Sequence, residues 1–325
     1  MSDIEMDWER GDYNDVLFFD SENKINKALP EGAVSLGSKP VPSGYKEVKG
    51  PKGGRYAVPK GDESKQEDSE VYDSPEKLKE LASKLYNDIP EEERKQIEEA
   101  VSNWKSGNDT QGKHKKDGVY TEERRSLHKE KILSPYSKAM DDLANQEEKR
   151  VVFMSGLPAS GKTTATKRMF KKVGDNPEIL EDNSGHKYVV LNADDIKGLL
   201  PEYNGLNAAE VHEESSDLNK MLIAMAQDKG ASVVIDGTLA NPEKAKKIHE
   251  NFKGLGYKGS LINVKVKTEN SLKRAKSRYD RSKRFVPFDV IAGMSEGIIK
   301  TIEELKESFE SYTSIDNNGA EPVYE

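Results

Sequence analysis

The chain has 325 residues, 34% of them hydrophobic and 34% charged, with a formal charge of −8. That length exceeds one average domain, and the polar balance implies that part of the chain stays outside any packed core. The absence of cysteine excludes disulfides, thiolate metal sites and cysteine nucleophiles, and the acidic balance argues against a protein that works by coating nucleic acid.

No apolar run approaches the roughly 18 residues that span a bilayer, and the acidic start MSDIEMDWERGD is unlike a secretory leader. The expected location is the cytoplasm, or a virion assembled there. Residues 1–72 read as a flexible, partly disordered region rich in Gly, Pro, Ser, Asp and Lys. Within it, Tyr45–Val48 and Arg55–Val58 flank the turn-forming Gly50-Pro51-Lys52-Gly53-Gly54, which predicts a β-hairpin over 41–60. The stretch 61–70 reads as a charged linker.

Residues 73–147 predict a small helical module. Ser74-Pro75-Glu76 is a helix start, and Leu78, Leu81 and Leu85 follow at helical spacing. A second helix opens after Pro90, a loop covers 106–118, and a further helix is expected over 121–147. Trp104 reads as a core anchor, His114 and His128 as surface residues. The charged stretch at 143–150 reads as a boundary, so residues 148–325 are expected to fold without the rest.

From Arg150 the texture changes. The runs RVVFMSG, KYVVLNA, SVVIDG and SLINVKV alternate with amphipathic helical segments. That alternation predicts an α/β fold, a parallel sheet with helices on both faces in three layers, whose ligands bind beyond the carboxyl ends of the strands.

The strongest chemical signal is Gly156-Leu157-Pro158-Ala159-Ser160-Gly161-Lys162-Thr163, a full phosphate-binding loop between a strand and a helix, with Thr164 continuing the helix. Its glycines let backbone amides wrap phosphate oxygens at a helix N-terminus. Lys162 would reach the β- and γ-phosphates, and Thr163 would offer its hydroxyl to Mg²⁺. The expected cofactors are therefore ATP, or GTP, and Mg²⁺. Asp194 and Asp195 follow the strand KYVVL. A carboxylate there can take the proton of an attacking hydroxyl, and Asp194 is the expected base with Asp195 as helix cap. Asp236 ends SVVID like an acid that holds magnesium, with Thr238 two residues on. In the basic segment 271–287, Arg278 and Arg284 are expected to close over the transferring phosphate, and Lys273, Lys276 and Lys283 to form a solvated face.

The loop, together with LNADDIKGLLPEY (191–203), VHEESS (211–216), VVIDGT (233–238), RYDRSKRFVPFDVI (278–291) and DNNGAEP (316–322), resembles the zeta-toxin family of P-loop kinases. The resemblance implies phosphorylation of the 3′-hydroxyl of UDP-N-acetylglucosamine with ATP and magnesium. It implies that Lys162 and Thr163 hold phosphates and magnesium, that Asp194 is the base, and that Arg278 and Arg284 embrace the phosphates. His212, Glu213 and Ser215 would help form the sugar-nucleotide pocket. The first 145 residues have no counterpart in a minimal toxin. They are the expected place for a partner, an antitoxin or a phage structural protein, and GYKEVKGPKGGRYAV is similar to short segments of tailed-phage structural proteins.

Two rival functions remain. Polynucleotide 5′-hydroxyl kinases share the loop, the Asn-x-Asp-Asp strand end, Asn241-Pro242-Glu243-Lys244 and an arginine followed by Val286-Pro287, but they need a basic path for a strand. Outside 271–284 the domain offers little of one, so nucleic acid is not the expected partner. The other rival is a phage structural protein in which the nucleotide domain only binds.

Overall fold

The computed structural model describes residues 34–35, 45–49, 55–59, 74–319 and 322–324. The chain divides into a small unit within residues 17–72 and a large one holding residues 73–325. In the small unit, β1 (Val34–Ser35) pairs with β3 (Arg55–Pro59), which pairs in turn with β2 (Tyr45–Lys49), all antiparallel. The β2–β3 register runs from Tyr45 opposite Pro59 to Lys49 opposite Arg55, the hairpin the alternating residues predict. The charged linker at 61–70 lies outside the described residues, as does the rest of the expected flexible region.

The large unit opens with α1 (Pro75–Asn87), whose Ser74 cap accepts from the amide of Lys77, and α2 (Glu91–Lys105), with three glutamates in its first turn. Carboxylates there sit against the positive end of the helix dipole. The segment expected to be a loop contains α3 (Thr110–His114), capped by Asp109, and β4 (Lys115–Lys116), paired with β5 (Val119–Tyr120). Then come α4 (Glu122–His128), a π-helical turn at Lys129–Leu133 and α5 (Ser134–Leu143).

The expected runs become β6 (Arg150–Ser155), which leads through the phosphate loop to α6 (Lys162–Met169), and further strands below. The chain then inserts β7 (Lys171–Asp175) and β8 (Glu178–Glu181) before β9 (Lys187–Leu191), α7 (Ala193–Lys197), α8 (His212–Lys229) and β10 (Val233–Asp236). It ends with α9 (Pro242–Gly254), β11 (Lys258–Lys265), α10 (Thr268–Ser282), α11 (Phe288–Leu305), β12 (Ser311–Asp316) and β13 (Val323–Tyr324).

The sheet order is β13-β12-β11-β6-β10-β9-β8-β7. The five strands from β12 to β9 are mutually parallel, whereas β13 and the β7–β8 pair add antiparallel edges. The expected parallel sheet is therefore present, with antiparallel strands added at its margins. These margin strands are short and, in β7 and β8, carry Lys, Asp and Glu instead of a continuous apolar run, so hydrophobic patterning does not reveal them. β6 lies between β10 and β11, both distant from it in sequence, and the crevice above its carboxyl end is the switch point where ligands bind in such sheets.

Alternation along the strands sends side chains to two buried faces. Val151, Phe153, Val189, Leu191, Val233 and Ile235 pack on the face covered by α5, α8, α9 and α11. Val152, Met154, Val190, Val234 and Ile262 pack on the other, with Ala165 and Phe170 from the α6 side.

Residues 73–143 are not a module set apart at 147. Ile132, Leu133, Tyr136, Ala139, Met140 and Leu143, from the π turn through α5, belong to the main core. Leu78, Ala82, Ile89 and Ile97 of the α1–α2 pair share a cluster with Leu272, Ala275, Tyr279, Phe285 and Ile291. The charged stretch after Leu143 is a surface connection between two parts of one body, so a fragment beginning at 148 would expose both apolar faces. Among the described residues, no helix is long and apolar enough to cross a membrane.

Candidate active site at the carboxyl ends of the strands

The phosphate loop is held open by close backbone approach. Gly156 has φ +142°, and a Cβ there would stand 2.6 Å from the Val264 carbonyl oxygen. Gly161 caps α6 at φ +94°, and a Cβ would meet Asn317 Nδ2 at 2.1 Å. That amide donates to the Ser160 carbonyl at 2.6 Å, and Ser271 Oγ donates to the Pro158 carbonyl at 2.5 Å. Ala159 also adopts a positive φ, 60°. The loop is thus pinned from the end of β12 and from α10.

Lys162 Nζ donates to the carbonyls of Gly156 and Leu157, at 2.9 and 3.3 Å. Burial lowers its pKa, and Asp236 and Asp194 oppose that shift. Thr163 and Thr164 are exposed on the first turn of α6. The Ser160 hydroxyl is buried with no hydrogen-bond partner among the described residues. The Thr238 carbonyl, rather than a free hydroxyl, serves the loop: it accepts from Ser155 Oγ at 3.1 Å and from the Gly156 amide at 3.5 Å.

Asp194 and Asp236 face this loop from the ends of β9 and β10. Asp194 accepts from Arg284 at 2.8 Å and pairs with Lys197 at 3.2 Å. Burial would raise its pKa, but Lys197 and Arg284 hold it well below the ordinary carboxylate range. Asp236 accepts from Asn192 Nδ2 at 3.0 Å, and burial raises its pKa. The cap of α7 is Asn192, whose side chain accepts from the Asp194 amide at 2.8 Å, and not Asp195. Asn192 immediately precedes the helix and has the extended backbone a cap requires, φ −140°, whereas Asp195 lies within it. Asp195 is left exposed beside the site, its pKa raised to about 6 by desolvation and, beyond the opposing Arg284, by Asp236 and Asp194.

Arg278 and Arg284 both come to this crevice, within electrostatic reach of Lys162 and Asp194. The Arg278 Nε is buried without a partner among the described residues. Burial and the neighbouring Arg284 depress its pKa.

The first turns of α8 depart from expectation. His212 stays beside the site: burial, together with Lys197, Lys244 and Lys220, lowers its pKa to about 3, so the imidazole is neutral. Glu213 accepts from Trp104 Nε1 at 3.1 Å, which makes Trp104 a half-buried polar link instead of a core anchor. Ser215 is fully buried and donates to the His212 carbonyl at 2.8 Å, so it is a helix-internal group that cannot line a pocket. Next to it, Glu214 is fully buried and bonded to Arg124 at 2.5 and 2.8 Å and to His128 at 2.5 Å. His128, expected at the surface, is 2% exposed.

The sequence reading misses Asn192, Lys197 and Asn317. Asn192 carries a legible signal, an Asx residue just before a helix at a strand end. Asn317 carries none except its place in DNNGAEP.

Residues 136–325 match the family model described as Zeta toxin. No curated protein matches the chain. Among solved structures, one described as the PezAT chromosomal toxin-antitoxin system of Streptococcus pneumoniae is similar at 15% identity and TM-score 0.45, over 63% of this chain and 83% of that one. Another, described as AvrRxo1-ORF1:-ORF2 with ATP, is similar at 21% identity and TM-score 0.49, over 64% of this chain and 68% of that one.

Proposed function

The chain belongs to the zeta toxin family, and we propose that it is an ATP- and magnesium-dependent kinase whose acceptor is a sugar nucleotide, UDP-N-acetylglucosamine or a close relative. The observation that carries the kinase reading is the convergence of Lys162, Asp194, Arg278 and Arg284 on one crevice at the loop, with Asp194 held ionised.

The residues fit the groups the reaction needs. The buried, unpartnered Ser160 hydroxyl and Arg278 Nε are donors that a polyphosphate would satisfy. Thr163 and Asp236 are hard oxygen donors. No cluster of three metal-binding side chains occurs among the described residues, which suits Mg²⁺, since it takes one or two protein ligands and completes its shell with phosphates and water. Bound there, the ion would neutralise charge on the phosphates. Loop amides and Lys162 would then hold the β- and γ-phosphates, leaving Lys162 to exchange its two carbonyl contacts for phosphate oxygens. Asp194 accepts the proton of the acceptor hydroxyl, and Arg284, already on Asp194, reaches the γ-phosphoryl from the same side.

The choice of acceptor rests on where the cations point. Lys273, Lys276 and Lys283 on the basic segment are tied to Glu269, Asp280 and Glu93, so they make no open track for a nucleic-acid strand. Lys197, Lys220 and Lys244 lie within electrostatic reach of His212, with Lys197 paired to Asp194 and Lys220 to Asp217, so positive charge is concentrated beside Asp194, which suits a small anionic acceptor.

The test offers labelled ATP and magnesium with UDP-N-acetylglucosamine and with a 5′-hydroxyl oligonucleotide, across a salt series. Transfer to the sugar nucleotide with weak salt dependence is expected. Labelling of the oligonucleotide alone, falling steeply with salt, would replace this acceptor by a polynucleotide end. ATP binding without transfer to either would favour a binding role.

A further inference from the structure

The two arginines are carried by a turn that something must hold. Arg278 lies near the end of α10, Lys283 caps that helix, and Arg284 follows. Lys283 has φ +58°, a left-handed conformation that a lysine adopts only when its surroundings impose it. Its amide donates to the Tyr279 carbonyl at 2.7 Å, and the next amide but one, Phe285, donates to the Gly205 carbonyl at 3.0 Å.

Beyond the backbone, one side chain reaches both ends of this turn. Glu93, on α2, accepts from the Tyr279 hydroxyl through one oxygen and from Lys283 Nζ at 2.7 Å through the other. Tyr279 directly follows Arg278, and Lys283 directly precedes Arg284. The ring of Tyr279 is 1% exposed and meets Phe285 edge-on with centroids 6.2 Å apart, while Phe285 meets Tyr86 of α1 at 6.2 Å. The α1–α2 pair therefore grips the arginine turn by an apolar face and by one bidentate carboxylate.

We propose that Glu93 is a positioning residue for phosphoryl transfer, fixing Arg278 and Arg284 against the transferring phosphate through Tyr279 and Lys283. This rests on the kinase reading above. Glu93 lies outside residues 136–325, so the family match alone does not point to it. Lys283 and Tyr279 hold its carboxyl below the ordinary range, so both contacts are made by the ionised form. The physical cost of losing it is misorientation. Without the carboxylate, the turn keeps its apolar packing but the arginines sample geometries that stabilise the transition state less, while ground-state nucleotide binding at the loop is unaffected.

The test compares affinity for a non-hydrolysable ATP analogue with affinity for ADP plus aluminium fluoride, which mimics the transferring phosphoryl group, in the full chain. Arg284→Ala should weaken the aluminium fluoride complex about 10²-fold and the ATP analogue only a few-fold. Glu93→Ala should weaken the aluminium fluoride complex about tenfold with the same selectivity, and Tyr279→Phe, which keeps the ring and removes the hydroxyl, by a smaller factor in the same direction. The Glu93→Ala/Arg284→Ala double variant should lose less than the two single losses combined, since part of the Glu93 effect runs through Arg284 and the rest through Arg278. Equal loss for both ligands, no loss in Glu93→Ala and Tyr279→Phe, or additive losses would overturn the positioning role. If Arg284→Ala itself leaves the aluminium fluoride complex intact, the kinase reading of the arginines falls first and the proposal with it.

Discussion

The phosphate crevice and the acidic side of α8 use polar and charged side chains to opposite ends. On the acidic side, every carboxylate that faces residues 104–128 is satisfied: Glu213 by Trp104, Glu214 by Arg124 and His128, Asp217 by Gln111, Lys115 and Tyr120. In the crevice, the Ser160 hydroxyl and Arg278 Nε lack partners among the described residues, and Lys162 rests on two carbonyls of its own loop. Saturated charge fixes structure, whereas charge kept unsatisfied beside a P-loop is a standing demand for a ligand. The motif VHEESS spans this divide, with His212 on the crevice side and Glu214 and Ser215 in the interior.

If the contrast holds, damage to the crevice removes chemistry and leaves stability, and damage to the acidic side of α8 does the reverse. The largest effect is expected from Lys162→Ala, which should cut phosphoryl transfer about 10³-fold with unchanged circular dichroism and unfolding midpoint. Loss of the fold with the lysine would break the comparison at once. Arg124→Ala comes next and should lower stability by about 3 kcal/mol in denaturant unfolding, because it leaves the buried Glu214 without its two guanidinium contacts.

The same pair has a pH signature. Burial opposes it, but His128 and Arg124 lower the Glu214 pKa from its ordinary 4.5 to about 2. A depressed carboxylate contributes stability that is complete above its unfolded value and lost as pH falls through its folded one. The wild-type advantage over Arg124→Ala should therefore be full above about pH 4.5 and shrink toward pH 2. An advantage that persists unchanged at pH 2 would mean that packing, not ion pairing, is what Arg124 supplies.

Asp194→Asn should lower kcat about 10²-fold while ATP affinity stays within a few-fold, since a base acts on the acceptor. Its depressed pKa means that wild-type kcat/KM should show no acid limb from this group near neutrality. A limb near pH 6 that disappears in Asp195→Asn would instead name Asp195, whose pKa is raised to about 6, as the base. The smallest effect should come from Ser215→Ala. The acceptor KM and the unfolding midpoint should both stay close to wild type, because the hydroxyl only backs onto the His212 carbonyl inside its helix. A several-fold rise in acceptor KM would return Ser215 to the pocket.

The loop, the strand-end aspartates and the arginines were legible because each is a short local pattern whose chemistry depends on residues close in sequence. The four apolar strands and the helix starts at Ser74 and Pro90 were legible for the same reason. Glu214 opposite Arg124 was not, because 90 residues separate them and a buried ion pair has the same composition as a solvated one. Nor could Leu78, Ile89 and Ile97 announce that they pack on Leu272 and Phe285: amphipathic spacing states that a helix has an apolar face, not what covers it. By itself, the sequence determined that a P-loop and its acids meet at the ends of parallel strands. Only the tertiary structure decided that the helices before them belong to the same body, since that choice depends on complementary apolar surfaces and paired charges brought together across the whole chain.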